Sequence, residues 1–462
     1  MSSPAIAIIG GGITGLTAAW RLQQRGFSVT VFEAGDRCGG VIGTVKQDGY
    51  LVERGPNTIL ETNPIIAEMI DAFGLRDRLL PSNPAADKRF IVRGGQPVNM
   101  PSGPVGMMTT KLFSLRAKLG VLAEPFCKKG PADLDESLAD FVRRRLGREF
   151  LDYAINPFVA GIYAGDPEKL SVREAFPRLR AIEQEYGSLI IGQIRGAKAR
   201  KKRGEMSRQN ANKLSFDDGL QVLTDALEDH LGTAIHRQSA VEQIRLGDDR
   251  QWTVRAADSE QIFDTVLLAL PAHRSAQIRV EKEGMVCDSL KPLDEILYPP
   301  VASVALGFHR DQVKHLLDGF GALIPEVEKM KILGTIFSSS LFPNRAPDGH
   351  VLLTSYLGGT RAPELVRGKS HEELCATTLE DLRKLYGITG NPTFSFSTNY
   401  EKAIPQYNVG FGKYRDAMTA AENLLSGLFL AGHSRDGISV GDSIESGDRV
   451  AGKIDKYLLH DS

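Results

Sequence analysis

Ala5-Ile6-Ala7-Ile8-Ile9-Gly10-Gly11-Gly12-Ile13-Thr14-Gly15, continued after a helical stretch by Val29-Thr30-Val31-Phe32-Glu33, settles the fold class of this sequence. Residues 5–9 form a short apolar run suited to a buried parallel strand. Leu16, Ala19, Trp20 and Leu22 repeat at helical spacing over 16–25, Gly26 stops that helix, and 29–33 reads as a second strand. The unit is βαβ, with its turn residues where such a unit needs them. Each glycine has a reason: Gly10 for the tight turn, Gly12 for close backbone approach to a pyrophosphate, Gly15 for helix-on-strand packing. The helix start offers unpaired N–H groups and a positive dipole end to phosphate. Glu33, 18 residues beyond Gly15, is placed to accept from a ribose 2′-hydroxyl and would repel a 2′-phosphate, which argues against NADP. The bland alternative is a glycine-rich turn of another α/β fold; the strand before, the helix after and the acid beyond all weigh against it.

The residues beyond Glu33 distinguish between dinucleotides. Arg37 and the pair Gly39-Gly40 come soon after Glu33 and suit a second pyrophosphate contact; Gly55-Pro56-Asn57-Thr58 could bring backbone to a bulky ring. A plain NAD domain needs neither, so FAD is favoured over NAD. Near the end of the sequence, a strand over 427–431, a turn over 432–441 and a helix from about Asp442 would aim another helix N-terminus at the cofactor, where it could stabilise negative charge on a reduced flavin. Alternatively, that segment merely finishes the sheet. His433, just past Gly432, is either a hydrogen-bond donor to the flavin or a local turn residue.

The 462 residues are 42% hydrophobic and 24% charged, enough for about three domains or one interleaved fold. With 56 Lys+Arg against 57 Asp+Glu, the net charge of −1 offers no field for coating nucleic acid. The four cysteines, at 38, 127, 287 and 375, show no C-x-x-C spacing, and the nine histidines none of the metal-site spacings. A reducing compartment and no metal are expected. No basic stretch precedes 5–9, so no secretory signal is expected, and no apolar run reaches the ~18 residues of a spanning helix.

The middle alternates less regularly. Helical spacing appears over Leu138–Leu146, Leu151–Ile155, 220–231 and 372–386, and strand-like segments over 234–236, 240–246, Trp252–Ala256, 262–270, 301–308, 334–338 and 351–357. Met100, Met107, Met108, Leu112, Phe113, Leu115, Leu119 and Leu122 form an apolar stretch broken by Lys111, Arg116 and Lys118, read first as a core helix and second as a peripheral membrane contact. Arg195, Lys198, Arg200, Lys201, Lys202 and Arg203 read as a solvated basic loop or a contact for an anionic membrane.

Several motifs together carry a resemblance. Asn156-Pro157-Phe158-Val159-Ala160-Gly161-Ile162-Tyr163-Ala164-Gly165-Asp166-Pro167, Gly319-Phe320-Gly321-Ala322-Leu323-Ile324-Pro325, Leu333-Gly334-Thr335-Ile336-Phe337, Phe342-Pro343-Asn344-Arg345-Ala346-Pro347, Lys402-Ala403-Ile404-Pro405-Gln406-Tyr407 and Gly437-Ile438-Ser439-Val440-Gly441 occur in order. In these the chain resembles the oxygen-dependent protoporphyrinogen oxidase family, FAD enzymes of the amine-oxidase-like superfamily, over about residues 5–453. The resemblance implies an α/β fold with an interleaved FAD-binding Rossmann-like domain (1–88, 205–290, 401–462), a β-rich substrate domain (89–97, 291–400) and a helical membrane-facing domain (98–204). It assigns FAD contacts to Gly10, Gly12, Ile13, Thr14, Gly15, Glu33, Ala34, Arg37, Gly40, Val41, Gly55, Pro56, Asn57 and Thr58, to the Val241 backbone at the adenine end, and to Ile438, Ser439 and Val440 near the isoalloxazine. For the substrate it implies an Arg89–propionate pair, a Gly161 backbone facing the pyrrole nitrogens, a Leu323/Ile336 clamp, and Tyr356 stacked beside a ring with a hydroxyl that needs a partner.

The implied reaction is oxidation of protoporphyrinogen IX to protoporphyrin IX by molecular oxygen, in three two-electron steps with peroxide formed, within haem synthesis. No residue stands out as a general base. The rivals are coproporphyrinogen III oxidation, a flavin amine oxidase, and a non-catalytic flavin-binding protein. The expected setting is cytoplasmic, peripheral on the cytoplasmic membrane face, with oligomeric state open and a homodimer among the options.

Overall fold

A computed structural model describes residues 3–203, 212–257 and 259–460. Strand Ala5–Ile9 pairs in parallel with Ser28–Phe32 on one edge and Thr265–Leu268 on the other; Ile235–His236 and Leu428–Leu430 complete a five-stranded parallel sheet. In chain order these strands lie 3-2-1-4-5, so the sheet reverses direction beside the Gly10 turn, where doubly wound sheets bind ligands. Ala5–Ile9 is apolar throughout because both its faces are covered. Ile6 and Ile8 enter a core with helix Ile13–Gln24, while Ala7 and Ile9 enter another with Ile244, Trp252 and Val254. That second cover is a five-stranded sheet built from Ser259–Phe263, Trp252–Ala256, Val241–Leu246, Arg279–Lys282 and Met285–Val286.

The segment 262–270 is not one strand. Asp264 divides it, donating its backbone N–H to the Ala5 carbonyl (2.8 Å) and accepting the Ala5 N–H on its carboxylate (2.7 Å). Residues before it belong to the covering sheet and Thr265–Leu268 to the parallel one. The late helix spans Val440–His460, two residues earlier than its apolar pattern suggests, because Ser439 and Asp442 cap it reciprocally. It crosses Ile13–Gln24 closely: a Cβ on Gly447 would lie 2.5 Å from the Thr14 carbonyl.

A third, seven-stranded sheet runs in the order Phe394–Tyr400, Val301–His309, His350–Gly358, Ile332–Ile336, Gly319–Leu323, Lys88–Arg93, Gln96–Asn99. One face, through Phe90, Ala302, Val304 and Ala322, packs under helix His371–Tyr386. A buried ion pair ties this sheet to the parallel-sheet region: Arg345 Nη2 lies 3.5 Å from Glu53 Oε1 and donates to Ser215 Oγ. Burial pushes the Glu53 carboxyl up to about 7, against the opposing pull of Arg345, Thr44 Oγ1 and the Leu220 N–H.

Helices between 103 and 203 share the apolar core of the parallel sheet through Leu138, Phe141, Val142 and Val159, and they also bury a cluster of charges. The cluster holds Arg145 between Glu124 (2.8 Å) and Glu183 (2.9 Å), all fully buried, with Arg180 2.8 Å from Glu183. Val105, Leu115 and Phe126 are 77%, 71% and 89% exposed. The core-helix reading of 100–122 is thereby corrected. Among the described residues only Leu112, Phe113 and Ala117 are buried there, because Thr110 and Ser114 break the stretch into helices Gly103–Thr109 and Leu115–Ala123, too short to turn every apolar residue inward. The basic stretch read as a loop lies in helix Leu189–Arg203, whose first N–H group is held by Glu124 (2.9 Å). The side chains of Lys198, Arg200, Lys201, Lys202 and Arg203 lie outside the described residues.

Two measurements test this packing. Gly447→Ala should lower stability by about 1–3 kcal/mol in a urea melt, since backbone blocks the added methyl. The carboxyl of Glu53 has a folded value above its ordinary one of 4.5, so its contribution to stability is full below that value and is lost as pH rises through about 7. Glu53→Gln should therefore flatten the fall in stability between those pH values by up to about 3 kcal/mol.

Candidate cofactor and substrate site

The three fingerprint glycines stand as their spacing requires. Gly10 has φ +111°, and a Cβ there would meet the Ala269 carbonyl at 2.6 Å. A Cβ on Gly15 would lie 2.0 Å from the Gly10 carbonyl, so helix and turn could not both keep their places. Around a Cβ on Gly12 nothing lies within 4 Å. Its backbone faces open space at the helix start, which is what a diphosphate cradle needs.

Glu33 holds one backbone N–H on each oxygen, from Gly11 (2.8 Å) and Gly35 (2.7 Å). A carboxylate has about four acceptor positions, so a ribose hydroxyl can still be received. Arg37 departs from a free phosphate-binding arginine: its guanidinium donates to the carbonyls of Cys38, Ile42 and Gly40. It therefore shapes the 38–42 loop, whose Gly39 N–H bonds the Gly11 carbonyl at 2.8 Å. Val241 is approached indirectly, since the Ser239 and Gln238 N–H groups bond the carbonyls of Glu33 and Gly35.

Contacts then run continuously from this end to the seven-stranded sheet. A Cβ on Gly40 would sit 3.5 Å from Gly12 Cα, and one on Gly55 would sit 2.5 Å from the Val41 carbonyl. Gly441, one residue past Val440, lies against Leu60 and Thr62, which brings Ile438-Ser439-Val440 beside the 55–60 segment. Thr14 Oγ1 donates to the Ser443 carbonyl (3.1 Å), so the two helix N-termini meet. Asn57 Nδ2 donates to the Tyr356 hydroxyl at 2.5 Å, supplying the partner that hydroxyl needs. Burial pushes the Tyr356 phenol well above its usual range, keeping it neutral.

Strand register arranges the substrate-side residues. Arg89 stands opposite Gly321, Gly321 opposite Ile336, Leu323 opposite Gly334, and Gly334 opposite Tyr356. Opposed residues and those two apart share a face, so Arg89, Leu323, Ile336 and Tyr356 all lie on the face away from helix His371–Tyr386. Gly161 meets them from helix Asn156–Tyr163, where a Cβ would be 2.5 Å from Leu323 Cδ2. Pro157 lacks the N–H a regular helix would use, and the turn before it, Leu151–Ile155, widens into a π-helix. Arg89 is exposed, with no carboxylate partner among the described residues. Among the described residues no side-chain hydrogen bond joins Ala34, Pro56 or Thr58 to the other assigned residues.

Sequence reasoning missed three features. Gly321, at φ +153°, would put a Cβ 2.1 Å from the Thr335 carbonyl, so the middle of the Arg89–Ile336 row must be bare; the Gly-x-Gly at 319–321 was its signal. Tyr407 donates to the His433 carbonyl and accepts the Gly437 N–H (3.0 Å), bracing the 432–437 turn. His433 Nε2 lies 3.3 Å from the Tyr298 hydroxyl, and His273 packs edge-on to the Tyr298 ring. Burial pushes both imidazoles down to about 4, so neither is charged at neutral pH.

Comparison with known proteins bears on this arrangement. The family model for flavin containing amine oxidoreductase matches residues 13–455. The chain is 35% identical to protoporphyrinogen oxidase 2, chloroplastic/mitochondrial, of Arabidopsis thaliana, covering 99% of this chain and 95% of that protein. It is 30% identical to coproporphyrinogen III oxidase of Bacillus subtilis, over 98% of each. A crystal structure assigned as a protoporphyrinogen oxidase from Exiguobacterium sp. 255-15 superposes with TM-score 0.82 at 26% identity, covering 99% of both chains. Cyclohexylamine oxidase from Brevibacterium oxydans shares the fold, at TM-score 0.70 and 17% identity over 99% of this chain and 100% of that one. The bare backbone at Gly12, the left-handed pair Gly39-Gly40 and the two converging helix N-termini fit FAD, the cofactor of this family. The chain belongs to the protoporphyrinogen oxidase family of flavin-containing amine oxidoreductases, and is an FAD-dependent oxidoreductase.

Proposed function

We propose that this protein oxidises protoporphyrinogen IX to protoporphyrin IX with molecular oxygen. The observation that carries this reading is the row on one sheet face: a cationic Arg89 at one end, aliphatic Leu323 and Ile336 between, and Tyr356 joined to Asn57 at the other. A flat, greasy macrocycle with a carboxylate edge matches that order of charge and apolar surface. The names of the full-length relatives support it.

FAD, when bound, supplies the two-electron acceptor and is reoxidised by oxygen with peroxide formed. The chain supplies position and dryness. Arg89 would hold a propionate by a charge-assisted pair, and the Leu323/Ile336 surface would cover a pyrrole. Tyr356, its hydroxyl held by Asn57, would present its ring face to the macrocycle. The neutral His273 and His433 add no fixed charge. At each step a bridge methylene loses hydride and a pyrrole nitrogen its proton; three steps give the aromatic ring. Gly10, Gly12, Ile13, Thr14, Gly15, Glu33, Ala34, Gly40, Val41, Gly55, Pro56, Asn57, Thr58, Val241, Ile438, Ser439 and Val440 are the proposed FAD contacts. Arg37, which also shapes the 38–42 loop, is proposed with them. The interleaved division at 88, 97, 204, 290 and 400 is proposed with them, and the parallel sheet built from three separated stretches supports it.

We also infer that the 103–126 layer rests on an anionic membrane. Among the described residues no helix is long and apolar enough to cross one. The exposed apolar side chains of Val105, Met108, Leu115, Leu119, Leu122 and Phe126 support a surface contact.

Purified protein should oxidise protoporphyrinogen IX to a fluorescent porphyrin with flavin bound. Faster turnover of coproporphyrinogen III would instead favour that substrate. Arg89→Ala should raise KM by about tenfold or more, the loss of a charged hydrogen bond, with flavin content unchanged; an unchanged KM would remove Arg89 from the site. Replacing Val105, Leu119 and Phe126 together by Ser should reduce co-sedimentation with phosphatidylglycerol-containing vesicles while leaving the urea midpoint in place, because these side chains already face solvent.

A further inference from the structure

The three residues after the Tyr356 strand reach both ends of the Gly161 helix. Strand His350–Gly358 ends at Gly358, and Gly359-Thr360-Arg361 comes next. Gly359, at φ +66°, passes so close that a Cβ would stand 2.4 Å from the Ala164 carbonyl. Thr360 donates its N–H to that same carbonyl at 2.8 Å, and Ala164 is the left-handed residue closing helix Asn156–Tyr163. The C-terminal end of the helix is thus held by Thr360.

Its other end is held by Arg361. One Nη donates to the Ile324 carbonyl and the other to Asn156 Oδ1, each at 3.0 Å. Ile324 directly follows Leu323, and Asn156 opens the helix that carries Gly161. Asn156 repeats the linkage through its own side chain, accepting the Glu326 N–H (2.9 Å) and donating to Glu326 Oε2 (3.1 Å). Arg361 makes no ion pair with a carboxylate among the described residues; burial lowers its guanidinium pKa from the usual value, and Glu326 only partly offsets that. A cation half-withdrawn from water and spent on two neutral acceptors is costly unless it fixes something.

What it fixes is the gap between Gly161 and Leu323, where the bare glycine already lies within a methyl's reach of Leu323 Cδ2. We propose that Arg361 is a positioning residue of the substrate clamp. Its planar fork sets the distance between the Gly161 helix and the Leu323 strand end, and so the width of the slot that receives a pyrrole ring. This rests on the reading of Gly161, Leu323 and Tyr356 as the macrocycle's seat. A lysine cannot replace the fork, because a single ammonium does not present two fixed parallel donors.

The test uses the flavin-loaded enzyme and four variants: Arg361→Ala, Arg361→Lys, Asn156→Ala and the Arg361→Ala/Asn156→Ala double. Arg361→Ala should raise KM for protoporphyrinogen IX by about tenfold, one charged hydrogen bond's worth, with kcat within about twofold and flavin content intact. Arg361→Lys should stay impaired, and the double variant should be no worse than the poorer single one, since both act through one linkage. Hydrogen exchange across 156–164 should rise in Arg361→Ala and stay unchanged in Arg89→Ala. Restoration of KM by Lys would show that only the charge matters and overturn the bracing role. A lower melting temperature with unchanged KM would overturn it too, leaving Arg361 structural. If the unaltered enzyme oxidised neither porphyrinogen, the functional reading would fall. The exchange arm still judges the brace in that case: no rise across 156–164 overturns it.

Discussion

The edges of Ala5–Ile9 set the terms for everything else in this molecule. One edge is bonded to Ser28–Phe32, close by in sequence; the other is bonded to Thr265–Leu268, more than 250 residues away. The sheet cannot form until the intervening chain has been gathered back to it. Leu428–Leu430 then adds to the far side of Thr265–Leu268, requiring a second long closure. Such non-local pairing is entropically demanding and slow to assemble, and it is offset by a strand buried on both faces. Because all five strands run the same way, their carboxyl ends lie together, and the Gly10 turn, the Glu33 segment and the Gly432 turn emerge at one end.

From that end the substrate sheet is reached through an apolar cluster of Tyr50 and Val52 against Ala305, Leu352 and Phe394, and through two polar links. Asn57 and Tyr356 share a hydrogen bond, and Glu53 and Arg345 share a buried ion pair four residues earlier. Neither stands alone. Tyr356 is fixed in register opposite Gly334, and Arg345 also bonds Ser215 from the nucleotide side. The buried charges bring geometry more than net stability, since pairing in a dry interior mostly repays desolvation. Their effect is to hold a rigid sheet face at a set distance from the glycine cradle, which is what a reaction governed by placement requires.

Beside the apolar core to which Leu138, Phe141, Val142 and Val159 belong, the stretch between 103 and 186 buries a charged cluster of Arg145, Arg180, Glu124 and Glu183, and it leaves Val105, Leu115 and Phe126 exposed. The same stretch thus holds a buried charge cluster, exposed apolar side chains, and the helix that carries Gly161 against the substrate sheet. The charges tie the turn before Phe126 to helices Leu138–Leu146 and Pro177–Tyr186 through Glu124, Arg145 and Glu183.

Local pattern alone was enough for the βαβ unit, Glu33 at the second strand's end and three of the seven strands of the large sheet, because period and turn chemistry act within a few residues. The resemblance named Arg89, Leu323, Ile336 and Tyr356 as candidates but not that they share one sheet face; register decides that, and register is set by partners up to hundreds of residues away. Arg37 was legible as a candidate phosphate contact, whereas its bracing of the 38–42 loop through three carbonyls is visible only in the folded chain. The run 262–270 looked like one strand and became two because Asp264 finds Ala5. The apolar face of 100–126 was visible as composition, whereas its outward direction was not, since a helical stripe shows that a face exists but not what it faces. The order of residues along the chain was sufficient for the nucleotide-binding turn and the elements around it. Which side chains meet across the slot was settled by the assembled fold, because those meetings depend on long-range pairing that no local period encodes.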